Sequence, residues 1–195
     1  MKVSTVQNIP FRLLNWEDLA ELTNTLADQI NGQAQHFDRL VALANGGLTM
    51  VRHLADILEM DRISLLQIKS YTSINENVTT PTIVQPLHID VENENLLIFE
   101  DIVDTGNTLK SIQEYIVEKK ASSYIVATLI QKSHTTKKAE FVAAEWDEWV
   151  IFPYETRETI QALKQKWLSS DVSESDIRQG LQEIGFTNDQ IDRFW

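Results

Sequence analysis

The segment over residues 96–108 places the strongest constraint on the fold of this chain. It begins with the apolar run Leu-Leu-Ile-Phe, which is typical of a buried strand. Glu100 and Asp101 follow, and then the turn Asp-Thr-Gly-Asn-Thr, with a helix predicted from about residue 107. A buried strand that turns directly into a helix is the repeating unit of an α/β fold with a parallel sheet.

The same alternation of strand-like and helix-like segments extends over most of the chain. Strands are predicted over 39–43, 62–68, 82–89, 95–99, 123–130, 140–143 and 149–152, and helices over about 16–30, 48–59, 107–120 and 157–168. We therefore expect an α/β fold with a mostly parallel, twisted sheet flanked by helices, in which ligands bind beyond the carboxyl ends of the strands. Residues 69–81 are rich in Ser, Thr and Asn and predict a long mobile loop.

The last segment, residues 170–195, differs in composition and is strongly acidic. Three apolar residues in it recur at helical spacing, Ile177, Leu181 and Ile184. We predict a main domain over 1–168 and a C-terminal helical hairpin over 170–195 appended to it. Apolar faces on the hairpin favour a homo-oligomer, a dimer or a tetramer.

The acidic composition limits the partners that the chain can have. Its net charge is −12, whereas non-specific nucleic-acid binding needs Lys and Arg, so we expect no nucleic-acid partner. No apolar run approaches the ~20 residues that span a bilayer, and the N-terminus lacks the apolar stretch of a signal peptide. We expect a cytoplasmic protein without a membrane partner. With no Cys there is no disulfide or thiolate nucleophile, and the four His show no metal-ligand spacing, so none is assigned a role.

The end of the 96–108 segment combines groups that suit a phosphorylated sugar. Glu100 and Asp101 can hold hydroxyls or a divalent cation. The turn offers backbone N–H groups and hydroxyls from four consecutive residues, Thr105, Gly106, Asn107 and Thr108. These groups lie where a helix begins, which favours an anion such as phosphate. Because the chain is acidic, backbone amides or a divalent cation must supply the positive field.

The run Glu-Asp-Ile-Val-Asp-Thr-Gly-Asn-Thr-Leu resembles the signature of the type I phosphoribosyltransferases, which bind 5-phosphoribosyl-1-pyrophosphate (PRPP). It is most similar to the purine branch, the hypoxanthine-guanine and xanthine-guanine enzymes, and the resemblance covers about residues 38–156. It implies the family's sheet with a small hood. It also implies that Glu100 and Asp101 hold the ribose hydroxyls, partly through Mg²⁺, and that residues 104–108 bind the 5-phosphate. Asp104 would be the general base or acid near purine N7.

Two further segments resemble the parts of these enzymes that bind PRPP. Lys69, Ser70 and Tyr71 resemble the start of the mobile catalytic lid, which excludes water. Asn45 and Gly46 lie in a segment, Ala-Asn-Gly-Gly, that resembles the pyrophosphate loop. The family usually carries Lys or Arg before Gly-Gly, so a cation is missing at the place of Asn45.

The purine side of the site is implied by residues nearer the C-terminus. The resemblance implies that Lys132 donates to the purine 6-oxo group, that Trp149 stacks on the base and that the backbone carbonyl of Val150 reads its edge. A Lys donor favours a 6-oxopurine over adenine, and an indole face suits a flat heterocycle. Glu155 is a further candidate ligand on the metal or pyrophosphate side.

Together these features imply a Mg²⁺-dependent enzyme of purine salvage that transfers the phosphoribosyl group from PRPP to a 6-oxopurine, giving the nucleoside monophosphate and pyrophosphate. The sequence does not rank guanine, xanthine and hypoxanthine. Three alternatives remain open: a phosphoribosyltransferase for another base, a non-catalytic PRPP-sensing regulator with the same fold, and a scaffold whose hairpin binds another protein. The neutral Asn45 favours the regulator, and the acidic composition disfavours it.

Overall fold

The computed structural model describes residues 2–72 and 79–195, which form two compact units, Ala20–Trp146 and Met1–Leu19 with Asp147–Trp195. The strands are β1 (Lys2–Val6), β2 (Ile9–Leu13), β3 (Arg39–Ala44), β4 (Ile63–Thr72), β5 (Thr79–Gln85), β6 (Asn95–Val103), β7 (Ser123–Gln131), β8 (Phe141–Glu145) and β9 (Trp149–Ile151). The helices are α1 (Trp16–Asn31), α2 (Leu48–Ile57), α3 (Asn107–Glu118), α4 (Thr156–Leu168), α5 (Glu174–Ile184) and α6 (Asn188–Phe194), with a 3₁₀ turn over Pro153–Glu155.

The larger unit is built on a six-stranded sheet in the order β5-β4-β3-β6-β7-β8. The five strands from β4 to β8 in this order run parallel, and β5 pairs antiparallel at the edge. This topology confirms the predicted α/β fold with a mostly parallel sheet flanked by helices. No helix in the described part of the chain is long and apolar enough to cross a membrane.

Side chains on both faces of the sheet are buried, as a parallel sheet requires. On one face α3 contributes four residues at helical spacing to the core, Leu109, Ile112, Tyr115 and Ile116. They belong to one cluster with Val41 and Ile98 of the central strands. The alternate residues Leu40, Leu97 and Phe99 are also buried, since successive strand residues face opposite sides.

The strand order determines where the functional loops lie. The strands β4, β3, β6 and β7 are consecutive and parallel, so their carboxyl ends meet at one edge of the sheet. The chain leaves that edge through residues 45–47 after β3, 104–106 after β6 and 132–140 after β7. Segments far apart in sequence therefore lie beside one another, as a site at the carboxyl edge of such a sheet requires.

The prediction of a loop over residues 69–81 was wrong at both ends of that range. The strand β4 continues to Thr72 and β5 begins at Thr79, and the two form an antiparallel ladder in which Lys69 pairs with Thr82. The few apolar residues here indicated a loop, but Thr and Tyr also fit an edge ladder. The remaining residues 73–78 lie outside the described part of the chain.

The strand that approaches the site is longer than its apolar run predicted. Because β6 continues to Val103, Glu100 and Asp101 lie within the strand rather than after it. The ladder with β7 extends to the pair Val103 and Gln131, so backbone pairing continues past the carboxylates. Pairing with a neighbouring strand is a tertiary feature that the apolar pattern of β6 alone does not report.

The second unit is formed from both ends of the chain. Its sheet has the order β1-β2-β9, in which β1 and β2 form an antiparallel hairpin and β9 runs parallel to β2. The strands β1 and β2 were not predicted, because each has only five residues and a Pro within a run, here Pro10, disfavours a strand. The strands of this sheet share one hydrophobic core with α4 and the C-terminal helices. That core includes Phe11, Ile151, Trp167 and Leu181.

The predicted C-terminal helical hairpin is present as α5 and α6. Gly185 ends α5 with a φ of 122°, and the side chain of Thr187 caps α6 in a capping box with Gln190. These helices share their core with β1, β2, β9 and α4. The boundary between a domain over 1–168 and an appendage over 170–195 stays a prediction.

Candidate active site

The connection from β6 to α3 encloses a cavity of about 290 Å³. Its lining comes from the end of the strand, the turn and the first helical residues, namely Glu100, Ile102, Val103, Asp104, Thr105, Gly106, Asn107, Thr108 and Leu109. Gly106 at the N-cap of α3 has no side chain to cap the helix, and the N–H of Asn107 makes only a long bond, at 3.4 Å, to Oγ1 of Thr105. The first N–H groups of a helix lack intrahelical partners and attract anions, so this cavity can hold an anionic group against the helix terminus.

Gly106 is required by the shape of this turn. Its φ of +82° lies in the left-handed region, and a Cβ there would lie 2.7 Å from the backbone N of Lys137 and 2.8 Å from Oγ1 of Thr135. Both the conformation and the packing therefore need a residue without a side chain. The absence of a side chain at Gly106 lets the loop after β7 pack against the turn.

The loop after β7 is hydrogen-bonded to the turn along its length. The N–H of Lys132 donates to the carbonyl of Val103 at 2.9 Å. Thr136 donates twice to the carbonyl of Thr105, from its backbone N at 3.1 Å and from Oγ1 at 2.9 Å. The turn over residues 103–106 and the loop over 132–137 thus form one braced structure.

Asp104 has a partner that sequence analysis missed. Its Oδ1 lies 2.8 Å from Nε2 of His134, in the loop after β7. No metal-ligand spacing had drawn attention to this histidine. The feature that brings the two residues together is the register of β6 and β7, in which Val103 pairs with Gln131, and this register is visible only in the structure.

The two adjacent carboxylates have different surroundings. Glu100 lines the cavity, and among the described residues its carboxyl has no hydrogen-bond or ion-pair partner. Burial, and then the charge of Asp101, raise the pKa of Glu100 well above the ordinary carboxyl value. Asp101 is buried and accepts from the N–H of Ile102 at 2.9 Å. A Cβ at Gly46 would overlap the Asp101 carboxylate, so the loop after β3 reaches β6 here.

The donors of Glu100 and Asp101 fit a hard divalent cation such as Mg²⁺. This ion commonly takes one or two carboxylates and completes its shell with water and substrate phosphates. Glu100 lines the cavity, and its surroundings disfavour the ionised carboxylate. A bound cation would stabilise that ionised form. Within residues 2–72 and 79–195 no group of three or more His, Asp or Glu side chains is placed to hold a metal ion.

The loop after β3 is shaped by its glycines and anchored by a side chain. A Cβ at Gly47 would lie 2.7 Å from the carbonyl oxygens of Leu43 and Phe99, so the loop lies tightly against β6. The peptide between Ala44 and Asn45 is cis. Oδ1 of Asn45 accepts from Nε2 of Gln67 at 2.8 Å. This bond leaves the amide nitrogen of Asn45 as a neutral donor in place of the cation that the family usually carries.

The remaining predicted residues of the larger unit lie at the same edge of the sheet. Lys69 is exposed on β4, in the ladder with β5. Ser70 and Tyr71 continue that ladder through their backbones, while their side chains lie outside the described part of the chain. Lys132 follows β7 directly and is buried. Their roles toward PRPP and the base stay predictions.

Trp149, Val150 and Glu155 belong to the second unit. The ring of Trp149 is 44% exposed, with its centroid 5.9 Å from that of Phe11 and 5.5 Å from Nζ of Lys166. Val150 is buried in β9, and Glu155 ends the 3₁₀ turn before α4. A half-exposed indole is compatible with stacking on a ligand. The purine and metal roles of these residues stay predictions.

The chain is similar to known proteins in both sequence and structure. The family model of the phosphoribosyl transferase domain matches residues 12–159. A hypoxanthine-guanine phosphoribosyltransferase of Staphylococcus aureus is 29% identical over 145 residues, which cover 71% of this chain and 81% of that protein.

Solved structures show the same fold. A hypoxanthine phosphoribosyltransferase from Staphylococcus aureus superposes with a TM-score of 0.58 and 27% identity, covering 67% of this chain and 73% of that one. A purine phosphoribosyltransferase from Pyrococcus horikoshii gives a TM-score of 0.65 at 24% identity, covering 74% and 93% of the two chains.

Proposed function

Because the chain belongs to the type I phosphoribosyltransferases, in their purine branch, we propose that it transfers the 5-phosphoribosyl group from PRPP to a 6-oxopurine base. The products are the nucleoside monophosphate and pyrophosphate. The observation that supports this most directly is the cavity at the start of α3, which Glu100, Asp104 and the phosphate-type turn enclose together. Its carboxylates suit the hydroxyls of a sugar, and the start of the helix suits a phosphate.

Each part of PRPP has a matching group at the edge of the sheet. The first amides of α3 and the hydroxyls of Thr105 and Thr108 bind the 5-phosphate. Glu100 and Asp101 hold the ribose hydroxyls, and the loop with Asn45 receives the pyrophosphate. Mg²⁺, held by the two carboxylates and the substrate, would neutralise charge on the departing pyrophosphate.

The reaction needs one bond to form and one to break at ribose C1. Purine N9 bonds to C1 while the bond from C1 to the pyrophosphate oxygen breaks, and the electron pair leaves with pyrophosphate. Asp104 accepts the proton from purine N7, so the purine in the product is neutral. The chain contributes mainly by positioning the reactants and by placing charge where it develops. A lid that begins at Lys69 would exclude water from the oxocarbenium-like transition state.

The preference for a 6-oxopurine depends on Lys132. This residue donates to the 6-oxo group, a position at which the amino group of adenine would offer only another donor. The N–H of Lys132 bonds to the carbonyl of Val103, which places the backbone of Lys132 beside the turn that carries Asp104.

A PRPP-sensing regulator without catalysis is the second candidate. The observation that favours it is Asn45, a neutral side chain engaged by Gln67 where the family usually has a cation. Loss of a cation there would weaken stabilisation of the leaving pyrophosphate, while the phosphate turn would still bind PRPP. Turnover separates the two candidates.

The test is to incubate the protein with Mg²⁺ and PRPP and, separately, guanine, hypoxanthine, xanthine and adenine, and to follow the ultraviolet change. We expect turnover of at least one oxopurine, little turnover of adenine, and loss of activity with EDTA. Clear PRPP binding without turnover of any base would favour the regulator. Turnover of adenine above the oxopurines would contradict the assignment of Lys132.

The role of Asp104 can be tested in the same assay. Removal of a general base costs about 100-fold or more, so Asp104→Asn should lower kcat by that order. The affinity for PRPP should stay within about twofold, because the turn amides and Glu100 are untouched. Asp56→Asn, on the exposed face of α2, is the control and should behave as wild type. Equal losses in kcat and PRPP affinity would make Asp104 a binding residue only.

A further inference from the structure

The pair of His134 and Asp104 contributes little to folding. Both side chains are more than half exposed, at 59% and 62%, and exposed ion pairs are worth at most about 1 kcal/mol. An exposed aspartate without a partner would sample several rotamers. A hydrogen bond at 2.8 Å to a fixed neighbour restricts that freedom at the residue proposed to take the purine proton.

The loop that presents His134 is fixed on both sides of it. On one side the N–H of Lys132 bonds to Val103, and on the other Thr136 bonds twice to Thr105. These partners are the residues that flank Asp104 in the chain. His134 and Asp104 therefore lie on two loop segments whose backbones are hydrogen-bonded to each other on both sides of the pair.

The hydrogen bond also makes the two oxygens of the Asp104 carboxylate different from each other. His134 occupies Oδ1, and a carboxylate can accept at both of its oxygens. Oδ2 is left to accept from a ligand. A donor at Oδ1 restricts rotation of the carboxylate, and it therefore narrows the range of directions in which Oδ2 can point.

We propose that His134 is a positioning residue, which donates its Nε2–H to Oδ1 of Asp104 and thereby aims Oδ2 at purine N7. This inference rests on the proposed function of Asp104 as the general base. During transfer the N7 proton passes to Oδ2 of Asp104, while the Nε2 proton stays on His134. The histidine does not touch the substrate.

The first test compares His134→Ala with His134→Gln, whose amide nitrogen can still donate. Loss of orientation should lower kcat of the alanine variant by about tenfold, with KM for PRPP within about twofold. The glutamine variant should recover kcat to within about threefold of wild type. His53→Ala, an exposed histidine of α2 that contacts Asn24, is the control and should leave kcat unchanged.

Three results would overturn the positioning role: a wild-type kcat in His134→Ala, a loss confined to KM for PRPP, or no recovery in His134→Gln. A second test combines the alanine change with Asp104→Asn. If His134 acts through Asp104, its removal should alter kcat of that variant by less than about twofold. A further tenfold loss there would show that His134 acts elsewhere.

Wild-type turnover separates this inference from the proposed function. A wild-type protein that turns over an oxopurine but does not respond to changes at His134 contradicts the positioning role alone. A wild-type protein without turnover for any base contradicts the transferase and, with it, the role of His134. An independent readout is the ¹⁵N NMR spectrum of His134, in which we expect the Nε2–H tautomer, and the other tautomer would contradict the proposed bond.

Discussion

Glu100 shows, at the scale of one residue, how a binding site can cost folding free energy. Its carboxyl lines a cavity in which burial and the charge of Asp101 raise its pKa. The folded protein therefore holds the Glu100 proton more tightly than the unfolded chain does. Under the proposed function, a cation or the ribose hydroxyls in the cavity would favour the ionised carboxylate of Glu100 and so relieve this cost.

Replacement of Glu100 by Gln should stabilise the protein and impair catalysis. As pH rises from the ordinary carboxyl pKa through the raised pKa of Glu100, the wild type loses stability that the variant keeps. The urea unfolding midpoints should be similar near about pH 4 and higher for the variant near about pH 8. kcat/KM should fall by about tenfold or more.

The control for this prediction is Glu114→Gln, on the exposed face of α3. It should show neither the pH-dependent gain in stability nor the loss of kcat/KM. A midpoint for Glu100→Gln that is equal to or below that of wild type near about pH 8 would contradict the prediction.

At the scale of elements, the site depends on how β6 passes into α3. The strand brings the carboxylates to the edge of the sheet, and the left-handed Gly106 reverses the chain so that the helix amides face the same cavity. The loop after β7 packs against Gly106 and holds the turn in place. The strand, turn, helix and loop therefore form one structural unit, and its precision depends on a position that tolerates no side chain.

Gly106→Ala should destabilise the protein and weaken PRPP binding. The left-handed conformation costs an L-residue about 1–2 kcal/mol, and the added Cβ would press on the backbone of Lys137. We expect a loss of about 2 kcal/mol or more in the free energy of unfolding, measured in urea. Gly32→Ala, outside the left-handed region, is the control and should change that free energy by much less. Equal effects of the two changes would contradict the strain at Gly106.

Helices and strands were predicted correctly where a local pattern specifies them, and a strand was missed where it depends on pairing with another strand. The helical periods of α2 and α3 and the apolar runs of β3 and β7 were recognised, because burial of one face leaves a period in the sequence. The ladder between β4 and β5 was missed. Its polar residues are strand-forming only when a neighbouring strand accepts their hydrogen bonds, and that neighbour is not visible in the local pattern.

On the scale of the whole molecule, the two ends of the chain share a single core. Phe11 from the N-terminal hairpin, Trp167 from α4 and Leu181 from α5 belong to the same buried cluster. The C-terminal helices are therefore part of the packing of this unit. A side chain removed from the C-terminal segment should therefore loosen the packing of residues near the N-terminus, since a core relaxes only partially around a cavity.

Leu181→Ala should destabilise this unit by about 2–5 kcal/mol, since Leu181 is fully buried. Leu168→Ala is the matched control, because Leu168 is 42% exposed, and it should cost less than about 1 kcal/mol. Urea unfolding followed by tryptophan fluorescence compares the two. A cost for Leu181→Ala no greater than that of the control would show that α5 is not an essential part of the core.

The sequence by itself determined the α/β fold class and the passage from a buried strand into a helix over residues 96–108, because burial of an apolar run and the start of a helix leave local patterns. Tertiary structure alone decided that β4, β3, β6 and β7 lie side by side, that Gly46 meets Asp101, and that His134 pairs with Asp104. These contacts join residues far apart in the chain. Their free energy depends on strand order and register, and no local pattern encodes either of them.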